Sequence, residues 1–193
     1  MAEDEQPAGL VYRSEFLSES EARELVAILD DLEIGEIRMR GQTARRTARH
    51  YGIDYDYDSH DLRAAEPVPS WLLPSRDRAA ELARVAPDEL AETLVQRYPV
   101  GATIGWHRDA PGFGQVVGIS LGAPCRMRFR RTTKEGTRNY ELELEPRSAY
   151  LLAGAARWAW QHSIPPTKGL RYSITFRTLR NATAAPVSAS GAA

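Results

Sequence analysis

From about residue 92 the chain becomes a succession of short runs rich in β-branched and aromatic residues, separated by turn residues. The runs are 93–98, 103–107, 116–121, 126–130, 140–144, 149–153, 158–163 and 172–178. Short strands this numerous and this evenly spaced bury their apolar sides only by packing sheet on sheet, which predicts a sandwich or barrel. Upstream the pattern is helical. Ser18 and Glu21 stand at capping-box spacing, and Ala22, Leu25, Val26, Leu29 and Leu32 recur with helical period. A second helix is predicted over 76–85, after Pro74 and with Ser75 as its cap. Residues 37–70, rich in Arg, Tyr, Asp and Pro, read as irregular or short-stranded. Helices first and strands after give an α+β, mainly β, domain: a double-stranded β-helix (jelly roll) core with N-terminal helices.

The 193 residues suit one domain, expected over 9–180, between small polar tails at 1–8 and 181–193. With 42% hydrophobic and 26% charged residues the chain has material for a core, and a rod, a collagen or wholesale disorder is excluded. No apolar run is long enough for a transmembrane helix, and the acidic start MAEDEQPAG has no apolar signal region. The single cysteine, Cys125, permits no internal disulfide and reads as a small buried hydrophobe. A cytosolic monomer with no membrane partner is the simplest expectation.

The net charge of −1 hides an asymmetry, because residues 1–36 carry 11 acids against Arg13 and Arg23. Of the 25 basic residues only Lys134 and Lys168 are lysine. Arginine concentrates over 38–49 and 126–138. Such clusters can hold phosphates in bidentate geometry, or simply form solvated faces.

The chemistry-bearing residues lie among the strands. In GWHRD, His107 and Asp109 stand two apart, and alternate strand residues leave the same face. His162 follows on a later strand. Two histidines and one carboxylate can make the facial triad of a non-haem Fe(II) oxygenase. The HxD pattern alone is common, and a buried, hydrogen-bonded His162 on a polar strand face explains it as well. The final strand adds weight. In RYSITFR, Arg171, Ser173, Thr175 and Arg177 share one face, while Tyr172, Ile174 and Phe176 share the other. If the first face is interior, its arginines need anionic partners, which a dicarboxylate would supply. If it is exposed, they are solvated.

Taken together, QRYPVGATIGWHRD (96–109), GISLG (118–122), ARWAWQHSIPP (156–166) and RYSITFR (171–177) resemble the AlkB family of Fe(II)- and 2-oxoglutarate-dependent dioxygenases. The resemblance is strong over 91–180, the expected jelly-roll core. It is looser over 10–90, where RRTARHYGIDYDY (45–57) looks like the family's substrate lid. It implies Fe(II) on His107, Asp109 and His162. It implies 2-oxoglutarate on Arg171 with Tyr98, and Arg177 near the iron-chelating carboxylate, where it also braces Asp109. Ser173 and Gln96 belong to the same pocket and stand where the family often has Asn. With O2, such enzymes convert the cosubstrate to succinate and CO2 and hydroxylate a C–H bond. On an N-methylated base in DNA or RNA, this releases formaldehyde, a repair reaction for alkylation damage. No catalytic side chain beyond the metal centre is implied.

On the substrate side, Arg45, Arg46, Arg49, Tyr51 and Tyr55 interleave arginines with aromatics, which suits phosphates plus a base flipped from its stack. The tyrosines serve equally well as packing for the lid. Met127 and Phe129 read as core, with Arg126, Arg128 and Arg130 as an exposed, solvated rail. Trp106 reads as packing, and Trp158 and Trp160 as filling for the barrel. Two other readings stand beside nucleic-acid demethylation: an oxygenase acting on a protein side chain or small molecule, and a non-catalytic nucleic-acid-binding module on a jelly-roll scaffold.

Overall fold

The computed structural model describes residues 5–39, 42–55 and 62–180. The strands are β1 (Leu10–Arg13), β2 (Gly35–Met39), β3 (Gln42–Tyr51), β4 (Ile53–Tyr55), β5 (Leu62–Ala64), β6 (Leu90–Tyr98) and β7 (Ile104–His107). They continue as β8 (Phe113–Gly122), β9 (Cys125–Thr133), β10 (Gly136–Leu144), β11 (Ala149–Leu152), β12 (Gln161–Ile164) and β13 (Arg171–Leu179). The helices are α1 (Glu19–Asp31), α2 (Leu73–Ala83) and the short α3 (Gly154–Trp158).

Two antiparallel sheets face one another. The larger runs β1-β11-β8-β13-β6-β3-β2 and the smaller β10-β9-β12-β7, with β4 and β5 as a separate pair. This is the expected jelly roll. Its inner layer collects Val116, Met127, Phe129, Tyr150, Leu152 and Ile164 from both sheets, with Trp160 from the turn before β12. The outer face of the large sheet is covered by α1 and α2, which meet Val95, Val117, Ile119, Tyr172, Ile174 and Phe176. The final strand β13 lies between β6 and β8, with α1 and α2 over one face and the small sheet over the other, so both its faces are buried. Arg171, Ser173, Thr175 and Arg177 are therefore interior, and the solvated alternative is excluded.

The capping box at α1 forms as read: Glu21 N–H donates to Ser18 Oγ (3.2 Å), and Ser18 N–H to Glu21 Oε2 (2.7 Å). Ala22, Leu25 and Leu29 are its buried stripe. The second helix begins earlier than expected. A 3₁₀ turn over Ser70–Leu72 runs into it, Pro74 lies in its first turn, and Ser75 is buried inside it rather than capping it. Proline suits the first helical turn because its missing N–H would have had no partner there. Residues 37–70 hold more strand than expected. The ten-residue β3 pairs with both β2 and β6, so the large sheet extends over the chain's first third. The run over 158–163 is not one strand: Trp158 ends α3, and β12 starts only at Gln161. The tail expected over 1–8 is anchored from Glu5 on. The Ala8 carbonyl accepts from Ala156 N–H (2.8 Å), and Gln6 Nε2 donates to the Leu10 carbonyl (2.7 Å). The expected tail at 181–193 lies outside the described residues. No helix of the described residues is long and apolar enough to cross a membrane.

One glycine sets the width of the interior. Gly118 on β8 lies opposite Tyr150, and a Cβ there would meet the Tyr150 ring at 2.3 Å. The phenol crosses the sandwich in the space a side chain would occupy. Gly118→Ala forces Tyr150 aside in a close-packed core and should lower stability by about 1–3 kcal/mol in chemical denaturation.

Candidate metal centre and active-site cavity

Antiparallel pairing of β12 with β7 sets His162 directly opposite His107. Their ring centroids are 4.2 Å apart. Asp109 follows two residues after His107, just past the end of β7. One ligand atom from each of the three lies within 4.8 Å of the others. His107 Nδ1 is 2.8 Å from the Gly105 carbonyl, so Nδ1 carries the hydrogen and Nε2 keeps its lone pair. His162 Nε2 is 3.5 Å from Asp109 Oδ2, and that oxygen is buried without a hydrogen-bond donor. Two neutral imidazoles and an orphaned carboxylate oxygen are the donor set of a facial triad, and they fit Fe(II).

Burial and neighbours keep these groups in their ligating forms. Burial, reinforced by His107, pushes the His162 pKa down to about 3. Burial also lowers that of His107. For Asp109 burial alone would raise the pKa, but Arg177, then His162 and His107, hold it well below the usual carboxylate range.

Arg177 is the centre of the surrounding network. Its Nη2 donates to Asp109 Oδ1 (2.6 Å) and its Nη1 to Glu92 Oε2 (2.6 Å). Glu92 is wholly buried, and its other oxygen lies 3.0 Å from His50 Nδ1. His50 also stands 3.3 Å from Asp54 at the surface. Sequence reasoning missed Glu92. Its signal was parity with Leu94, Gln96 and Tyr98, which places it on the cavity face of β6. The loop after Asp109 is tied down by a second residue that was missed. Arg157, buried on α3, donates to the carbonyls of Ala110, Phe113 and Gly114, each at 2.8 Å.

Arg171 enters from the opposite end of β13. Its Nε donates to Ser120 Oγ (3.1 Å) and its guanidinium lies 4.9 Å from the Tyr98 ring centre. Both terminal nitrogens are buried without a hydrogen-bond partner. A buried guanidinium edge left open in this way fits a bidentate carboxylate. Tyr98 donates to Gln96 Oε1 (3.1 Å), and Ser173 Oγ lies 3.5 Å from Thr175 Oγ1. Burial raises the pKa of Tyr98 and of Cys125, which is buried and free.

The triad opens into a cavity of about 470 Å³ lined by Gln96, Tyr98, Tyr150, Ser173, Thr175 and Arg177. Arg46 lines it too, with its Nε buried and unpartnered. Of the rest of the expected substrate set, Arg45, Arg49 and Tyr51 do not line it. Alternation along β3 sends Arg46 and His50 to the cavity face, and Arg49 and Tyr51 to the other. Arg49 donates to Glu66 (2.7 Å) and to the Glu33 carbonyl (3.1 Å). Tyr51 is packed in the core beneath the helices and cannot stack on a base. Arg45 is exposed. Tyr55 ends β4, but its side chain, like all of Tyr57, lies outside the described residues. Of the tryptophans, Trp160 fills the core as expected, while Trp158 is exposed on α3 with Arg157 and Arg180 stacked on it.

Comparison with known proteins agrees with this geometry. The family model described as the 2OG-Fe(II) oxygenase superfamily matches residues 9–177. The chain is 29% identical over 210 residues to the Arabidopsis thaliana protein named Alkylated DNA repair protein ALKBH8 homolog, covering 90% of this chain and 59% of that one. It is 25% identical over 170 residues to the Xenopus tropicalis tRNA (carboxymethyluridine(34)-5-O)-methyltransferase alkbh8, covering 84% of this chain but 26% of the relative. The chain thus spans only part of these relatives' length. Among solved structures, OsALKBH1 superposes with a TM-score of 0.65 at 17% identity, covering 90% of this chain and 97% of its own. A 2OG-Fe(II) family oxidoreductase from Burkholderia pseudomallei gives a TM-score of 0.61 at 14% identity, covering 92% and 88%.

The chain belongs to the 2OG-Fe(II) oxygenase superfamily, whose members use Fe(II), 2-oxoglutarate and O2. As a member it is a 2-oxoglutarate-dependent dioxygenase, and the relatives named above are AlkB homologues. That identification sets aside the non-catalytic module.

The Arg177 bridge makes a direct prediction. Arg177→Met leaves Glu92 and Asp109 as buried, uncompensated carboxylates and should destabilise the fold by about 3–5 kcal/mol in denaturant titration. Arg177→Lys should recover only part of this, because an ammonium lacks the fork that spans two carboxylates.

Proposed function

We propose that this enzyme oxidatively demethylates N-alkylated bases in DNA or RNA. His107, Asp109 and His162 hold Fe(II), and Arg171 with Tyr98 holds the distal carboxylate of 2-oxoglutarate. The observation that carries the reading is the cavity. Its volume falls in the range of about 300–1,000 Å³ usual for small-ligand sites, with a metal-capable triad on its wall. Tyr98, another of its lining residues, packs against Arg171, whose terminal nitrogens are buried without a hydrogen-bond partner. Such a space has room for a dicarboxylate and one flat base. The names of two relatives, one an alkylated DNA repair protein and one a tRNA-modifying enzyme, support a nucleic-acid substrate.

Bound Fe(II), 2-oxoglutarate and O2 supply the oxidising chemistry: the cosubstrate yields succinate and CO2, a C–H bond of the methyl group is hydroxylated, and the product releases formaldehyde. The side chains do the positioning. Arg177 fixes one oxygen of Asp109 and leaves the other for the metal. Gly105 orients His107 through its Nδ1–H. Gln96 turns the Tyr98 phenol, and Ser120 holds Arg171 with its fork open. Tyr150, Met127 and Val116 keep the chamber apolar and shaped.

The test is anaerobic reconstitution with Fe(II) and 2-oxoglutarate, then aeration with methylated oligodeoxynucleotides, oligoribonucleotides and tRNA. Formaldehyde should appear in step with succinate. His107→Ala, Asp109→Ala and His162→Ala should each abolish both. Arg171→Ala should raise the 2-oxoglutarate requirement about tenfold or more, since charge-assisted hydrogen bonds contribute about 1.5–3 kcal/mol. Succinate release stimulated only by peptides or small molecules would replace the nucleic acid with those substrates.

A further inference from the structure

The outer face of the small sheet, beside the cavity, carries a group of side chains that the iron and cosubstrate sites do not use. On β9, Arg126, Arg128 and Arg130 alternate outward while Met127 and Phe129 are buried. The three arginines differ. Arg126 pairs with Glu141 (3.3 Å) and Glu143 (3.9 Å) on β10. Arg128 and Arg130 have no carboxylate of the described residues within ion-pair distance. They reach over β12 instead, where their Nε atoms donate to Ser163 Oγ (3.3 Å) and Gln161 Oε1 (2.9 Å). Their guanidinium carbons lie 5.1 and 4.4 Å from the ring centre of Trp106. Both arginines are half-buried. They are not the loosely solvated rail that alternation alone predicts. They are fixed cations whose positive charge has no acidic partner among the described residues.

Trp106 lies on β7, the edge strand of its sheet, immediately before the metal ligand His107. It is half-exposed, and it lines the cavity together with the exposed Arg108. An aromatic ring with two oriented guanidiniums, one residue from the metal centre, combines a stacking platform with phosphate contacts. Among the described residues the lid strand offers no comparable set: Arg45 and Arg46 have no exposed aromatic beside them, because Tyr51 is buried. We propose that Trp106, Arg128 and Arg130 form the track for the strand that flanks the target nucleotide, with the arginines on phosphates and the indole against a neighbouring base. This rests on the nucleic-acid reading above. The occupant is single-stranded, because stacking on the indole needs an exposed base face, which the continuous stack of a duplex covers.

The experiment is fluorescence anisotropy of labelled single-stranded DNA and RNA on the full chain, loaded with Fe(II) and 2-oxoglutarate without oxygen, across a salt series. The Arg128→Gln/Arg130→Gln double variant should weaken binding on the order of tenfold. It should also flatten log K against log salt by about 0.7 per lost phosphate contact. The corresponding double lysine variant should restore the slope, which separates charge from misfolding. Arg126→Gln should leave the slope unchanged. Trp106→Leu should weaken binding about tenfold with a smaller change in slope, and Trp106→Tyr should recover most of it. Melting curves matching the parent's show that the variants are folded. If the parent binds but the double variant keeps its slope, the track is wrong and the demethylase reading stands. Equal binding of polyglutamate with the same arginine dependence would make the surface a protein-docking face and overturn the assignment. If no oligonucleotide binds the parent, track and demethylase reading fall together.

Discussion

A full positive charge sits inside this sandwich, and the architecture around the metal centre follows from the need to neutralise it. Arg177, on a strand buried on both faces, meets Glu92 and Asp109 at 2.6 Å each. An unpaired charge in that position would cost several kcal/mol. The pairing therefore demands that β6 lie against β13 in the register that sets Glu92 opposite Arg177. It also demands that the chain leaving β7 bring Asp109 back over the same strand. The reward is specific geometry: one carboxylate oxygen is held by the arginine and the other is left for a metal.

The two ends of β13 treat their arginines differently, and the difference is functional. Arg177 is satisfied by the protein's own carboxylates. Arg171 has a hydroxyl and an aromatic face for company and no carboxylate partner on its terminal nitrogens. A buried guanidinium edge of this kind is completed by a ligand or by ordered water, so the strand carries a structural cation at one end and a receptive one at the other. The small residues between them, Ser173 and Thr175, leave the space that becomes the chamber.

The division of faces extends through the large sheet. One side packs on α1 and α2 with Val, Ile, Leu and aromatic residues, and the other lines the cavity with polar groups. Alternation makes this a strict partition. It is why neighbouring residues of one motif, such as Arg46 and Arg49, end in unrelated surroundings. It is also why His50, expected only as part of a lid, joins the buried Glu92 in a chain of polar contacts running from the surface to Asp109.

The local code was sufficient for much of this. Period-2 runs pointed to a jelly roll and the Ser18–Glu21 pair marked the start of α1. HxD, the later His162 and the RxSxTxR strand supplied candidates, which only the resemblance between their motifs and a known family turned into a triad and two pocket arginines. These signals are short-range: a strand's parity or a helix's cap is written in residues two to four apart. What lay beyond the sequence was set by pairing between distant strands. Which face of β13 lines the interior depended on the helices and the small sheet that cover its two faces. The role of Glu92 depended on a register 85 residues long in sequence. Tyr51 was lost to the substrate because β3 joined the sheet, and Arg128 and Arg130 gained Trp106 because they reach across β12, over Ser163 and Gln161, to β7. Sequence determines which way a side chain leaves its own strand. Only the assembled sheets decide what it meets there, because burial and charge pairing are properties of neighbours far apart in the chain.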